Sequence, residues 1–239
     1  MPTLNEAESI GTVVERIESI RKKLPFDCRL LIVDDNSSDG TADRVKELQK
    51  KYDNVSLLQR PAPAGIGSAY TDGFAYAISN FGADYLGEID ADLQHPPEVL
   101  VYMCKVAATG IDVVIGSRYA KGGGSKDWTL GRRLVSRGAN ILTKVFLRTP
   151  VADSTSGYRV ISRKAVESLF EYKVSSKGYS FQVESLYAYK KSGMTFAEVP
   201  YMFEIRKSGK TKLNKKEMWQ FAKTTIRTGI LGLKKKAQS

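Results

Sequence analysis

Over the first 117 residues, short apolar runs of strand length alternate with amphipathic helical segments, and the connections between them are brief. This alternation narrows the fold more than any other feature, because successive parallel strands need a crossover, and helical crossovers cover the faces of the sheet. The strand-like runs are Leu30-Leu31-Ile32-Val33 ending at Asp34, Val55-Ser56-Leu57-Leu58, Tyr85-Leu86-Gly87-Glu88-Ile89 and Val113-Val114-Ile115. Between them, Ile10, Val13, Val14, Ile17 and Ile20 fall at helical spacing, as do Ala42, Val45 and Leu48. A third helix spans about 68–80, and a fourth opens near Pro96-Pro97. Asn5 and Glu8 stand at capping-box spacing ahead of the first helix, and Asp39 is placed to cap the second. The pattern predicts an α/β fold with a mostly parallel central sheet and helices on both faces. One piece is missing from it: Met1-Pro2-Thr3-Leu4-Asn5 leads into the first helix without a strand. That predicts a truncated first strand, or a place in the sheet filled by another segment.

Beyond Ser117 the pattern changes. Gly122-Gly123-Gly124 leads to a basic amphipathic helix over about 130–146, then to the turn-rich run Asp153-Ser154-Thr155-Ser156-Gly157-Tyr158-Arg159. Helices are expected near 163–169 and 181–191, an extended segment over 195–202, a mobile loop over 206–216 and a last helix over about 215–233. These changes divide the chain into 1–117, 118–213 and a basic C-terminal piece, 214–239.

The formal net charge is +11, and it is unevenly placed. Residues 118–148 hold eight Lys or Arg against Asp127, and residues 204–239 hold eleven against Glu204 and Glu217, so the rest of the chain is net acidic. Such patches attract phosphate-bearing partners: nucleic acid, anionic lipid or a phosphorylated substrate. Nucleic acid is disfavoured, because no helix-turn-helix, zinc or RNA-sheet motif is present and the sheet edge is acidic. Cys28 and Cys104 have neither zinc spacing nor a disulfide framework and read as packing residues. No uncharged apolar run reaches spanning length and no signal-peptide core is evident, which predicts a body without its own spanning helix.

The strongest chemical feature is Glu88-Ile89-Asp90-Ala91-Asp92-Leu93-Gln94-His95, which leaves an apolar strand and enters a loop. In open parallel sheets ligands bind beyond the carboxyl ends of the strands, where Asp90 and Asp92 fall. Two carboxylates so close need a cation or a shared proton, and oxygen donors suit Mg²⁺ or Mn²⁺ bridging a diphosphate. An ordinary strand-end turn is the alternative. Asp34-Asp35-Asn36-Ser37-Ser38-Asp39-Gly40 ends the earlier strand in the same manner. Two acidic strand ends on one edge fit a nucleotide lying across it. Gly65-Ile66-Gly67-Ser68 opens a helix but lacks the P-loop ending and the dinucleotide spacing, so its glycines serve the backbone.

Together with Pro2-Thr3-Leu4-Asn5-Glu6, Gly116-Ser117-Arg118-Tyr119 and the Asp153–Arg159 run, these segments occur in the order seen in family 2 glycosyltransferases. Within that family the chain resembles the dolichyl-phosphate (polyprenyl-phosphate) mannosyltransferases. The resemblance implies a GT-A fold over 1–213, with a nucleotide-sugar half (1–117) and an acceptor half (118–213). It implies metal-dependent, inverting transfer of mannose from GDP-mannose to dolichyl or polyprenyl phosphate. Pro2, Asn5 and Glu6 would line the guanosine and ribose pocket, with Asp34 or Asp35 reading base or sugar. Asp90, Asp92 and Gln94 would hold Mg²⁺ or Mn²⁺, and with Ala91 would position the donor phosphates. Arg118 would lie near the transferring centre, Arg132 or Arg133 with Ser136 would meet the acceptor phosphate, and Arg206 and Lys212 would contact phosphate from a closing loop. A lipid phosphate is already ionised, so the reaction asks for alignment and charge compensation rather than a general base. His95 is given a structural place in its loop.

Such a product stays in the bilayer, which implies work at the cytoplasmic face of a membrane, either by peripheral attachment or through a small anchoring subunit. The last helix, with Trp219, Ile226, Ile230 and Leu231 beside basic residues, suits an interface, and Trp128, Ile141 and Val145 extend the same expectation to the 130–146 helix. UDP-glucose as donor and a saccharide hydroxyl as acceptor are the rival enzymatic readings.

Overall fold

The computed structural model describes residues 1–126, 128–174, 176, 178–204 and 215–235. The chain starts with a two-residue strand, β1 (Pro2–Thr3), followed by α1 (Ala7–Arg21), β2 (Leu30–Asp34), α2 (Thr41–Lys51), β3 (Val55–Gln59), α3 (Ile66–Phe81) and β4 (Tyr85–Glu88). A 3-10 turn at Pro97–Val99 leads into α4 (Leu100–Ala107), then β5 (Val113–Ser117), β6 (Gly124–Ser125) and α5 (Leu130–Leu147). The remainder is β7 (Arg159–Ser162), α6 (Arg163–Phe170), α7 (Phe181–Lys191), β8 (Phe196–Pro200), β9 (Met202–Phe203) and α8 (Lys215–Leu231).

The first strand is in its place in the sheet but only two residues long. Pro2 pairs with Val33 and Thr3 with Asp34 in a parallel ladder, flanked by Val33 N–H donating to the Met1 carbonyl at 2.9 Å. The expected capping box does not form. Asn5 takes a left-handed backbone (φ 57°) and its side-chain oxygen accepts the Ser38 N–H at 3.0 Å. The open start of α1 is served from the facing loop instead: Ala7 N–H donates to Asp39 Oδ2 at 3.0 Å and Glu6 N–H to Thr41 Oγ1 at 2.9 Å. Asp39 also accepts the Thr41 N–H at 3.0 Å, so one carboxylate ties the starts of two helices together.

Strands β1, β2 and β3 form one parallel ladder, and β4, β7, β5 and β8 form a second in that order. In the second, β7 runs antiparallel to both β4 and β5, while β5 and β8 are parallel. The turn-rich reading of 153–159 stopped short of this strand, which begins at a wholly buried arginine. A small parallel pair joins β6 to β9.

Alternation along β5 and β7 sends Val114 and Val160 to a core beneath α1, α2 and α4. Val113, Ile115 and Ile161 face the opposite core, beneath α3, α6 and α7. Helix α7 is buried from Phe181 through Tyr189, as a helix wrapped on all sides by protein must be. Cys28 and Cys104 are free and half-buried, and burial pushes their thiols up to about 11 and about 12.

Helix α5 is different. Thr143 and Leu147 are its only buried residues, and it packs on α8, whose Gly229 lies so close to Phe146 that an added Cβ would stand 2.6 Å from the Phe146 carbonyl. The loop expected over 206–216 lies outside the described residues up to 214, and α8 begins at Lys215.

Replacing Asp39 by Ala leaves the Ala7 and Thr41 amides without their acceptor. The expected loss is about 1–2 kcal/mol, read in urea unfolding as a lower midpoint with an unchanged slope.

Candidate active site

The carboxyl ends of β1 and β2 carry the first group of expected site residues. Pro2 lies within β1, and Asn5 and Glu6 follow it against the 37–41 loop, where Asn5 N–H donates to Ser37 Oγ at 3.0 Å. Asp34 and Asp35 both turn inward. Asp34 accepts from Thr3 Oγ1 at 3.0 Å, Ser37 Oγ at 2.6 Å and Ser37 N–H at 3.0 Å. Asp35 accepts from Arg60 Nη1 at 2.6 Å, and from the N–H groups of Ala64 and Gly65 at 3.1 Å each. The two carboxylates therefore shape the loop wall rather than point outward from it. Gly65 needs its left-handed φ of 93° to enter α3, and Gly67 leaves room for the Ser176 carbonyl, 2.5 Å from where a Cβ would stand.

Helix α3 links this wall to the second acidic loop, since Tyr70 Oη donates to Asp90 Oδ1 at 3.4 Å. The 90–95 segment is a tight turn with Leu93 left-handed (φ 64°). Asp92 Oδ1 accepts the Gln94 N–H at 3.0 Å, and His95 Nδ1 accepts the Asp90 N–H at 3.1 Å. His95 is buried and stacked on Tyr158 at 4.8 Å between ring centres, so it pins the loop. Among the described residues no group of three or more His, Cys, Asp or Glu side chains could hold a metal ion. An ion held by the expected ligands Asp90, Asp92 and Gln94 would therefore draw most of its shell from water and substrate phosphates, as Mg²⁺ and Mn²⁺ do.

On the other side, Arg118 follows β5 and is gripped by Asp153. Arg118 Nε and Nη2 donate to the two carboxylate oxygens at 2.7 Å each, and the Arg118 backbone N–H donates at 2.9 Å. Burial alone would raise the Asp153 carboxyl, but the Arg118 charge and these hydrogen bonds hold it below the ordinary range. Arg132 lies over Trp128 at 4.6 Å, and Arg118 lies 5.4 Å from the same ring. Burial and the Arg118 charge lower the Arg132 guanidinium, with Tyr179 and Asp92 acting against them. The metal-ligand candidate Asp92 is therefore within electrostatic reach of the cationic half. Arg118, Lys126, Trp128, Arg133 and Arg137 line a cavity of about 400 Å³. Ser136 sits at its side and accepts from Tyr119 Oη at 2.8 Å. Trp128, expected at a membrane face, is instead 7% exposed and packed edge-on against Phe203. Arg206 and Lys212 lie outside the described residues.

Three functional-looking residues escaped the sequence reading. Asp153 stood in a turn-rich run with nothing to announce its partner 35 residues away. Glu88 and Arg159 are both wholly buried and 3.9 Å apart. Among the described residues neither Glu88 oxygen has a hydrogen-bond donor.

One α/β frame thus carries an acidic edge at 90–92 and a cationic cavity around Arg118, linked by the effect of Asp92 on Arg132. The sequence pattern of Glycosyl transferase family 2 matches residues 1–170. A polyprenol monophosphomannose synthase of Mycolicibacterium smegmatis is 34% identical over 215 residues, which span 90% of this chain and 79% of that one. The chain belongs to glycosyl transferase family 2 and is a glycosyltransferase. A dolichol-phosphate mannosyltransferase of Pyrococcus furiosus is 33% identical over 229 residues, 95% of this chain but 62% of that protein's length. The fold is of GT-A type. It matches a glucosyl-3-phosphoglycerate synthase from Mycobacterium tuberculosis solved with Mn²⁺ and UDP-glucose at a TM-score of 0.65 and 18% identity, covering 95% of this chain and 75% of that one. A mannosyl-3-phosphoglycerate synthase from Rubrobacter xylanophilus matches at 0.65 and 20% identity, covering 95% and 70%.

Burial raises the Glu88 carboxyl to about 7, with the Arg159 charge acting to lower it. The folded chain then keeps a proton that the unfolded chain releases near 4.5, so this stabilisation is present below pH 4.5 and lost as pH rises to about 7. Glu88→Gln lacks this component, so its stability relative to wild type should rise by on the order of 1–3 kcal/mol between pH 5 and pH 8 in paired thermal melts.

Proposed function

We propose that the chain transfers mannose from GDP-mannose to dolichyl or polyprenyl phosphate with a divalent cation, releasing GDP and a β-mannosyl phospholipid. The observation that carries this reading is the cationic cavity around Arg118, Arg133 and Arg137 beside a two-carboxylate loop. It suits an acceptor that arrives already ionised. The names of the two relatives above support mannose and a polyprenol-type acceptor.

On this reading the wall at 2–6, 34–39 and 60–65 receives the nucleoside, shaped by the inward Asp34 and Asp35. Asp90, Asp92 and Gln94 hold Mg²⁺ or Mn²⁺, and Ala91, whose side chain is buried in the core, would meet the donor phosphates only through its backbone. When bound, the ion supplies charge compensation for the departing diphosphate. Arg118, with Arg132 or Arg133 and Ser136, aligns the acceptor phosphate behind the anomeric carbon. Its oxygen needs no base to deprotonate it, and attack from that face inverts the configuration. Arg206 and Lys212 are proposed as further phosphate contacts.

Helices α5 and α8 provide the membrane contact in this proposal. Leu130, Leu134, Ile141 and Val145 stand outward on α5, and Trp219, Ile230 and Leu231 on α8, with Lys144, Lys223 and Arg227 near them. Among the described residues no helix is long and apolar enough to cross a membrane. An interfacial position at the cytoplasmic face, alone or with a small anchoring subunit, follows from the lipid substrate.

Labelled GDP-mannose and polyprenyl phosphate in detergent should give mannosyl lipid with Mg²⁺ or Mn²⁺ and none with EDTA. Asp92→Ala should lower the rate by about a hundredfold or more. Product from UDP-glucose alone would replace the donor, and silence from both donors with added membranes would overturn the lipid-phosphate reading.

A further inference from the structure

Arg118 lines the cavity, yet most of its hydrogen-bonding capacity is directed away from it. Asp153 takes the Nε hydrogen and one from Nη2, and Thr155 Oγ1 takes the other Nη2 hydrogen at 2.7 Å. The same carboxylate accepts the Arg118 backbone N–H, so side chain and main chain are fixed by one group. Among the described residues nothing accepts from Nη1. A guanidinium held this way keeps two donors for a ligand and has little freedom in how it presents them.

Asp153 itself has no exposed surface and cannot meet the ligand. Its segment is braced from three elements. Glu198 on β8 accepts the N–H groups of Ala152 and Asp153 at 2.9 and 3.0 Å. Asn140 on α5 accepts the Ser154 N–H at 2.8 Å, and Arg159 on β7 donates to the Ser156 carbonyl at 2.9 Å. A buried ion pair offers little stability over a well-packed apolar alternative, so the return on this arrangement is fixed geometry. Because Asp153 cancels the Arg118 charge and Glu204 stands 3.7 Å from Lys126, Arg133 and Arg137 supply most of the cavity's positive field, and Arg118 supplies direction.

We propose that Asp153, completed by Thr155, is a positioning residue for the phosphate-bearing acceptor: it locks Arg118 so that only the Nη1 edge faces the cavity. This rests on the reading of that cavity as the acceptor site.

The test uses the full chain and two probes, farnesyl phosphate for the acceptor side and GDP with Mn²⁺ for the donor side, followed by transfer kinetics. Asp153→Asn should weaken farnesyl phosphate about tenfold or more and raise the acceptor KM in step, leaving GDP within twofold. Thr155→Val should weaken it by about threefold to fivefold, and Thr155→Ser should restore wild-type binding. If Asp153→Asn does not fold, the Thr155 pair decides. Farnesyl phosphate binding within twofold of wild type in both Asp153→Asn and Thr155→Val overturns the proposal, as does an equal loss of GDP binding. Wild type that binds farnesyl phosphate but transfers no sugar defeats the proposed function, while the binding series still judges Asp153. Wild type that binds GDP and no farnesyl phosphate removes both.

Discussion

The half of the chain beyond Ser117 hangs on a guanidinium that has no access to solvent. Arg159, the first residue of β7, donates to the carbonyls of Ser154, Ser156 and Gln182 and to Ser185 Oγ, joining the turn before it to α7 behind it. Its charge is set against Glu88 on the neighbouring strand, 3.9 Å away and equally buried. Placing an ion pair so deep is expensive unless its hydrogen-bonding groups are satisfied, and here the cation is well served while the carboxylate is not. Burial raises the Glu88 carboxyl, against the lowering effect of the Arg159 charge, and Arg159 is the member that organises the backbone. The turn beyond it, from Ser156 and Ser154 to Asp153 and on to Arg118, is held by that side chain together with Asn140 of α5 and Glu198 of β8.

The two ends of the site carry opposite charge for a physical reason. Asp90 and Asp92 leave the sheet where strand carboxyl ends converge, and each needs positive charge nearby. The protein withholds most of it: Arg60 is taken by Asp35, and Arg118 by Asp153. Lys126, Arg133 and Arg137 line the cavity with Arg118, Lys126 being 3.7 Å from Glu204, and Arg132 feels both Arg118 and Asp92. An anionic donor with its cation and an anionic acceptor can therefore sit side by side, each against charge of the opposite sign.

The frame was legible wherever local periodicity coincided with burial. The stripe Ile10, Val13, Val14, Ile17 and Ile20 is buried as its spacing required, and α7 falls on the predicted 181–191. The acidic strand ends stood out in the sequence, but Asp34 and Asp35 spend their oxygens on the loop itself, a structural use that the sequence did not separate from ligand contact. What could not be read was pairing at a distance. Asn5 satisfied a local capping rule, but Asp39 and Thr41 outcompeted it across more than 30 residues of chain. Strand β7 is four residues long and opens with arginine, so neither length nor apolarity marked it. Trp128 beside basic residues suits an interface on composition alone, and only the fold shows its ring occupied by Arg118, Arg132 and Phe203.

Helix α5 shows how both kinds of information meet in one element. Ser136, Asn140, Thr143 and Leu147 recur at helical spacing on its inner face, and the first two reach Tyr119, Ser154 and Thr155. Leu130, Leu134, Ile141 and Val145 recur on the outer face, which stays uncovered. A helix that kept its apolar side inward would bury the stripe and lose Asn140 as a brace for the Asp153 turn. The observed rotation does the reverse: polar side chains go to the cavity side, and among the described residues nothing covers the stripe. On the membrane-surface reading the bilayer covers it, and that contact would settle the same helix that holds the Arg118 clamp from behind. The apolar stripe and the polar brace are then two consequences of a single helix orientation, with Gly229 of α8 packed against Phe146 to hold it there.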